Sequence, residues 1–320
     1  MAHKAGWVFI VNPIAGNGFA GTYLKTLPAI LLKYGIDAEI SVTSSKGHAT
    51  FLTEESIKKG ARNIVAVGGD GTISEVIQCL VNNNDIVFGA VPAGTGNDFI
   101  NILGFPERFS DIHWEILFQQ NTINMDIGRC NTKYFANGMG LGFDAQVAYE
   151  NYTSSDGNFV RMGTKTKYWW HIIKTLVLYE EQPIQLTIGG VSKDVKTFLN
   201  TIAIGRRFAG GFYLTPKAFA NDGLLDICMF DNLSFIGRVN GLLSVLRGTH
   251  ITNKTVHYSQ MDRLIIEFEQ EVPAHLDGEL YFNSRFDIGI EPAGLTTIYN
   301  PSGKHYFSET INNEFISNPI

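Results

Sequence analysis

The chain has 320 residues, enough for two domains with sizeable cores. Apolar residues make up 44% and charged residues 18%, a balance that excludes a disordered chain. A net charge of −6 and a pI near 5.8 speak against a broad nucleic-acid footprint, so nucleic acid is not an expected partner.

Residues 7–11 read as a buried strand, stopped by Asn12-Pro13 and followed by the glycine-bearing loop Ala15-Gly16-Asn17-Gly18. This first apolar run is too short for a signal-peptide core, and no run approaches the roughly 18 to 20 apolar residues that span a bilayer. A helix is predicted over residues 21–34, with Pro28 inside it, which calls for a late start or a kink. Residues 38–43 form a second predicted strand and 47–59 a second helix, closed by Gly60.

Residues 64–80 then join an apolar run to a helical apolar stripe through Gly68-Gly69-Asp70-Gly71. Glycines leave no Cβ atoms to hold a ligand off, so backbone N–H groups and the positive end of the next helix can close on a phosphate. Asp70 would repel a bare phosphate, a conflict that a Mg-nucleotide resolves. The structural reading of the same residues is a capping box formed by Thr72 and Glu75 ahead of the helix. Residues 87–91 make a further strand, followed by the polar loop Pro92-Ala93-Gly94-Thr95-Gly96-Asn97-Asp98, where Asn97 or Asp98 serves as a helix cap. Alternating strands and helices imply right-handed βαβ units, which brings all three glycine loops to one edge of a mostly parallel sheet. Neither a Walker loop nor a dinucleotide fingerprint is present.

Beyond Asp126 the texture changes to short two-residue alternations, at 184–188, 197–204, 224–230, 263–268 and 286–290, typical of an antiparallel sandwich or barrel. Two predicted helices interrupt it, at 165–179 and 235–246. The first carries Lys165, Lys167 and Lys174 with Trp169, Trp170 and Tyr179, a mixture suited to a membrane surface, although packing on a sheet is the commoner fate of such a helix. Cys79, Cys130 and Cys228 are scattered and odd in number, which fits a reducing, cytoplasmic compartment better than a disulfide framework.

Four motifs in order, Asn12-Pro13-x-Ala15-Gly16, Gly68-Gly69-Asp70-Gly71-Thr72, Pro92-x-Gly94-Thr95-Gly96-Asn97-Asp98 and His275-Leu276-Asp277-Gly278-Glu279, resemble the diacylglycerol kinase catalytic-domain family. That family includes soluble bacterial lipid kinases and the sphingosine and ceramide kinases, and the resemblance extends to about Pro301. It implies an α/β plus all-β fold. Residues 1–125 would be a doubly wound, mostly parallel, Rossmann-like nucleotide domain, and residues 126–300 an antiparallel β-sandwich carrying the lipid site. A tail, about 300–320, would pack back on the first domain.

The resemblance further places Asp70, Gly69, Gly71 and Thr72 at the phosphates and metal of ATP, Thr95 and Asn97 along the nucleotide pocket, and Asn12 on the opposite loop. Asp98 and Asp126 resemble acids of a metal-linked water network, and Asp222, with backbone carbonyls at about Phe219 and Leu224, resembles a structural Mg2+ site. Glu279 matches the general base, with Asp277 beside it. Where members often carry Lys or Arg in the first loop, Asn17 and Phe19 stand here, which leaves Lys25 or Lys165 as the phosphate cation.

Phosphoryl transfer to an alcohol needs a base, a metal and phosphate donors, and these residue types supply all three. Asp277 and Glu279, two apart, would lie on one side of an extended chain. His275 receives no role. The implied reaction is ATP- and Mg2+-dependent phosphorylation of a lipid hydroxyl, with diacylglycerol first and phosphatidylglycerol, a sphingoid base or undecaprenol as alternatives. NAD kinases and phosphofructokinases share the GGDG turn but not the other loops, and a catalytically weak lipid- or nucleotide-binding regulator is the non-enzymatic rival. The lipid would be reached by peripheral contact at the inner membrane face. Homodimer formation through an exposed strand edge is compatible with the sequence.

Overall fold

The computed structural model describes residues 6–153 and 164–308. In the first half, β1 (Gly6–Val11), α1 (Phe19–Tyr34), β2 (Ala38–Val42), α2 (His48–Lys58), β3 (Ala61–Gly68), α3 (Asp70–Ile77) and β4 (Val87–Pro92) alternate, followed by α4 (Asp98–Ile102) and α5 (Asp111–Gln119). The strands pair in parallel in the order β2-β1-β3-β4. Both faces of this sheet are covered, which is why β1 and β3 are nearly continuous apolar runs. Phe9, Val11, Val65 and Val67 pack with Leu27, Leu31 and Trp114 of α1 and α5, while Val8, Ile10, Ile64 and Ala66 pack with α3 and α4.

Two local expectations change. The first helix starts early, at Phe19, and runs through Pro28, because Asn17 and Gly18 in left-handed geometry turn the chain sharply into it. The capping box is absent: Thr72 lies inside α3, whose N-cap is Gly69. Glu75 instead accepts from the backbone N–H groups of Gly47 and Ala49, at 2.8 and 3.1 Å, and so stabilises the start of α2.

The second half comprises β5 (Thr122–Cys130), β6 (Lys133–Phe135), β7 (Gly138–Gly142), α6 (Phe143–Thr153), α7 (Thr164–Leu178), β8 (Pro183–Ile188), β9 (Val191–Ala203), β10 (Leu225–Asp231), α8 (Phe235–Leu246), β11 (Val256–Met261), β12 (Arg263–Leu276) and β13 (Glu279–Ile298). It is antiparallel. The long strands β9 and β12 each pair with β7 over one stretch and with β8 over another, which closes a circuit β7-β9-β8-β12. An irregularity between Glu267 and Val272 lets β12 bend from one layer to the other.

One sheet runs through both halves. β5 crosses residues 125 and 126 without a break and pairs along β13, whose end meets β4 in parallel at Thr297 and Phe88. Residues 300–308 fold back on α4, with Tyr306 N–H donating to Ile102 O and Asn300 N–H to Leu103 O, and Phe307 is buried. Residues 309–320 lie outside the described residues.

Candidate active site

The three glycine loops meet by backbone contact. A Cβ on Gly69 would stand 2.9 Å from Gly94 Cα, and a Cβ on Gly16 would collide with the carbonyl of Ala93, so larger residues at these positions would push the loops apart. Side chains then fix the loops to one another. Asn12 Nδ2 donates to Thr72 Oγ1 at 3.0 Å. Asn97 takes the N–H of Gly94 on its Oδ1 at 2.9 Å and returns its Nδ2 to Gly94 O at 3.1 Å. Asn97 is the N-cap residue of α4, as expected, but its side chain ties the loop and makes no capping hydrogen bond, while Thr95 is exposed to solvent.

Asp70 performs the capping instead. Its carboxylate accepts from the backbone N–H groups of Asp98 and Phe99, at 3.2 and 3.1 Å, at the start of α4. Burial raises the Asp70 pKa against these hydrogen bonds. Asp98 is pushed up to about 7, first by burial and then by the charge of Asp70, with Arg207 Nε 3.7 Å away and the N–H of Gly210 opposing the shift. A divalent cation with hard oxygen ligands would relieve this pair, but among the described residues no third His, Cys, Asp or Glu joins it in a metal-holding group, so most ligands of an ion here would have to come from elsewhere.

The β12–β13 turn closes the same edge. Asp277 (φ 49°) and Gly278 (φ 85°) are the two-residue turn between Leu276 and Glu279, a left-handed pair suited to a tight hairpin. The two carboxylates consequently diverge, contrary to the extended-chain expectation. Asp277 turns inward and accepts from the N–H groups of Ala136, Asn137 and Gly138 at 2.7, 2.9 and 2.9 Å. Its pKa is nonetheless raised to about 6, mainly by burial. Glu279 turns across the cleft towards α3, its Oε1 3.0 Å from where a Cβ on Gly71 would sit and its Oε2 2.5 Å from Lys46 Nζ.

From these acids a cavity of about 350 Å³ runs into the second half. Asp70, Asp98 and Asp277 line one end, and Phe143, Ile172, Leu176, Phe198, Leu214 and Val245 line the other. Helix α7 turns Ile172 and Leu176 inward, whereas Trp170, Ile173, Val177 and Leu178 are exposed. Lys165, Lys167 and Trp169 lie outside the residues whose side chains are described.

Residues 6–130 match the family model of the diacylglycerol kinase catalytic domain, and residues 137–299 match that of the YegS C-terminal NAD kinase beta sandwich-like domain. The chain is 31% identical to the "Probable lipid kinase YegS" of Escherichia coli, over 87% of this chain and 92% of that one. It is 27% identical to the diacylglycerol kinase of Bacillus subtilis, over 84% and 88% of the respective chains. The fold matches a crystal structure of a diacylglycerol kinase from Bacillus anthracis with a TM-score of 0.73, at 23% identity, covering 94% of this chain and 99% of that one. The chain belongs to the diacylglycerol kinase catalytic-domain family.

Within this family of lipid kinases, the expected site residues fall here into two places. Asn12, Gly69, Asp70, Gly71, Thr72, Asn97, Asp98, Asp277 and Glu279 gather around the cleft through the contacts above. Asp126 belongs elsewhere, buried in β5, where it accepts from the N–H groups of Gly223 and Ala293, both at 2.7 Å, and so ties the 219–224 loop to β13. Its electrostatic neighbour is Asp222.

Asp222 accepts from Leu224 N–H at 3.1 Å and from Gln260 Nε2 at 3.2 Å, and the Phe219 ring lies under the Arg206 guanidinium. The charge on Asp222 helps to raise Asp226 to about 6, after burial. A cation would be welcome among Asp126, Asp222 and Asp226. Among the described residues no three His, Cys, Asp or Glu side chains form a metal-holding group, so any ion here would depend on backbone carbonyls as well.

Sequence reasoning missed Lys46 and Arg207. Lys25 is solvent-exposed on α1, whereas Lys46 precedes α2 and reaches Glu279 across the cleft, with its ammonium 5.7 Å from the Tyr152 ring. Arg207, between β9 and β10, contacts both Asp98 and Asn101. Neither lies in a motif; a basic residue just ahead of the second helix was the available signal for Lys46.

Proposed function

We propose that the protein transfers the γ-phosphate of ATP to the hydroxyl of a membrane lipid, with diacylglycerol the first substrate to test and phosphatidic acid its product. One observation carries this reading: a single cavity is lined both by Asp70, Gly96, Asp98 and Asp277, which sit at the glycine loops and the β12–β13 turn, and by an apolar set from the second half, so a hydrocarbon chain can approach a phosphate donor there. The names of the relatives, diacylglycerol kinase and lipid kinase, support the same class.

In this reading the backbone N–H groups of the 12–18, 68–72 and 92–98 loops surround the ATP phosphates, with Gly69, Gly71, Thr72 and Asn12 on one side and Thr95 and Asn97 on the other. Asp70 and Asp98 would hold Mg2+, which would supply charge neutralisation at the phosphates. Glu279 takes the proton of the lipid hydroxyl, and Asp277 holds the turn that aims it. Lys46 supplies the cation that the first loop lacks, exchanging its contact with Glu279 for one with phosphate. Asp126 acts through the 219–224 loop rather than at the phosphates, and Asp222 with the carbonyls of Phe219 and Leu224 holds a structural ion.

Among the described residues no helix is long and apolar enough to cross a membrane. The outward apolar residues of α7 and α8, including Trp170, Ile173, Phe235 and Ile236, provide peripheral membrane contact beside the cavity.

The deciding experiment follows radiolabelled γ-phosphate from ATP into diacylglycerol, sphingosine, phosphatidylglycerol and undecaprenol presented in mixed micelles. Transfer to at least one lipid is expected, falling about 10²- to 10⁴-fold in Glu279→Gln with an unchanged melting temperature. Absence of transfer to every lipid overturns the activity, and full activity of the variant overturns the assignment of the base.

A further inference from the structure

The connection between β9 and β10 reaches back out of the second half to touch the first. Arg207 Nε stands 3.7 Å from Asp98 Oδ1, and the terminal nitrogens of the same guanidinium donate to Asn101 Oδ1 and Glu107 Oε1, both at 3.3 Å. Gly210 N–H donates to both carboxylate oxygens of Asp98, at 3.1 and 3.2 Å. Asp98 and Asn101 belong to α4 and Glu107 follows it, so residues 205–212 hold the helix that begins at the third glycine loop.

The same segment is tied to the β12–β13 turn through Asn137. The Asn137 backbone N–H donates to Asp277 Oδ1 at 2.9 Å, and its side-chain Nδ2 donates to Arg207 O at 3.0 Å. Its carbonyl accepts from the N–H groups of Ile204 and Gly205, both at 2.9 Å. Next to it Gly138 also donates to Asp277, and a Cβ on Gly138 would stand 2.6 Å from the Phe208 ring. Asp98 and Asp277, which come from different halves, are therefore anchored to one piece of chain.

That piece keeps its shape by internal hydrogen bonds. Phe208 and Phe212 exchange theirs through the backbone at 2.8 and 2.9 Å, Thr215 Oγ1 donates to Gly205 O at 2.6 Å, and Arg207 Nη2 donates to Gly210 O at 2.7 Å. Ala209 lies in left-handed geometry, with φ 48°, and Gly210 follows at 72°. A residue with a side chain keeps such a backbone only where its surroundings over-determine it. Phe208 and Ala209 line the cavity, whereas the Arg207 guanidinium is directed at α4. Lys46 makes the reverse crossing, from the first half to Glu279 of the second.

We infer that Arg207 is a positioning residue for phosphoryl transfer: through Asp98 on one side and Asn137 on the other, it holds the glycine-loop side and the β12–β13 turn in the alignment that transfer requires. The guanidinium meets Asn101, Glu107 and Gly210 O at once, which a single ammonium cannot do. The inference rests on the proposed function for the reaction being aligned.

The test compares Arg207→Gln and Arg207→Lys with the unaltered full chain by backbone hydrogen exchange and by transfer kinetics. In both variants, residues 97–101 and 136–138 should exchange at least about threefold faster together, because they share one clamp. For every lipid that is phosphorylated, kcat should fall about 10- to 100-fold, while the lipid KM and the affinity for a nonhydrolysable ATP analogue stay within about threefold, as misplaced groups rather than lost binding would give. Arg207→Lys keeps the charge beside Asp98 but loses the fork, so it should lose nearly as much as Arg207→Gln. Asn137→Ala reaches the clamp from its other end and should give the same pattern, which keeps the test decisive if an Arg207 variant fails to fold.

A kcat within about twofold of the unaltered chain, or a loss carried wholly by KM, overturns the inference. So does faster exchange in only one of the two segments. Turnover in the unaltered chain with no change of exchange in the variants removes the clamp and leaves the kinase reading intact. Exchange is read without turnover, so faster exchange in both segments with no transfer to any lipid refutes the kinase reading and leaves the clamp standing.

Discussion

The glycine-loop side of the cleft is made from backbone, whereas the cavity side is made from side chains. On the first side, Gly69 and Gly94 bring two chains into contact, and Asn12, Asn97 and Asp70 hold the loops through short-range hydrogen bonds. On the second, apolar residues from α6, α7, α8 and β9 converge from distant parts of the chain. The first arrangement tolerates little change, because a backbone contact has no rotamer to move. The second can be reshaped one residue at a time, so under the proposed function a change of acceptor need not disturb the glycine loops.

The strongest way to break this comparison is at the backbone contact. Gly94→Val should abolish phosphate transfer to all lipids and lower ATP affinity by at least about a hundredfold, because its Cβ would overlap Gly69. Retained ATP binding by calorimetry would show that the loops need not touch. Asp277→Ala should follow in size. It removes the acceptor for three backbone N–H groups, at about 1–3 kcal/mol for each donor left buried and unpaired, so chemical denaturation should show a loss of several kcal/mol.

The cavity side should respond differently. Ile172→Trp fills the apolar end and is expected to raise the lipid KM by about tenfold or more while ATP affinity stays within about twofold. A parallel loss of ATP binding would mean that the two sides are coupled.

A pH effect separates the sides further. Asp98 titrates near 7 in the folded protein against an ordinary value of 3.8, so between those limits the folded chain holds a proton that the unfolded chain has lost. Its contribution to stability is full below about pH 4 and declines as pH rises towards 7. The melting temperature attributable to this group should therefore fall across that interval, and Asp98→Asn should flatten the slope. The smallest effect is expected from Trp170→Ser with Val177→Ser on the exposed face of α7, which should weaken vesicle binding several-fold with no change in transfer to monomeric dioctanoylglycerol.

Much of this was visible one residue at a time. Residues 7–11 and 64–67 had to be strands because unbroken apolar runs between glycine turns suit a sheet covered on both faces, and the glycine loops had to share an edge because parallel strands place their following loops there. The helix at 235–246 was equally legible from its periodicity. Thr72 and Glu75 misled because capping spacing is local, while Glu75 found better donors on α2, far away in sequence. Asp277 and Glu279 misled because Asp277 and Gly278 are themselves the two-residue turn, in left-handed geometry, whereas Glu279 already begins β13, so the alternation of an extended chain does not relate them.

The strands, glycine turns and helices of the cleft were legible in consecutive residues, because their chemistry is local. Only the tertiary structure decided that Lys46 meets Glu279, that Asp126 lies with Asp222, and that Arg207 meets Asp98. Those contacts join residues separated by up to hundreds of positions. Strand register and helix packing bring them together, and neither is encoded in any single stretch of chain.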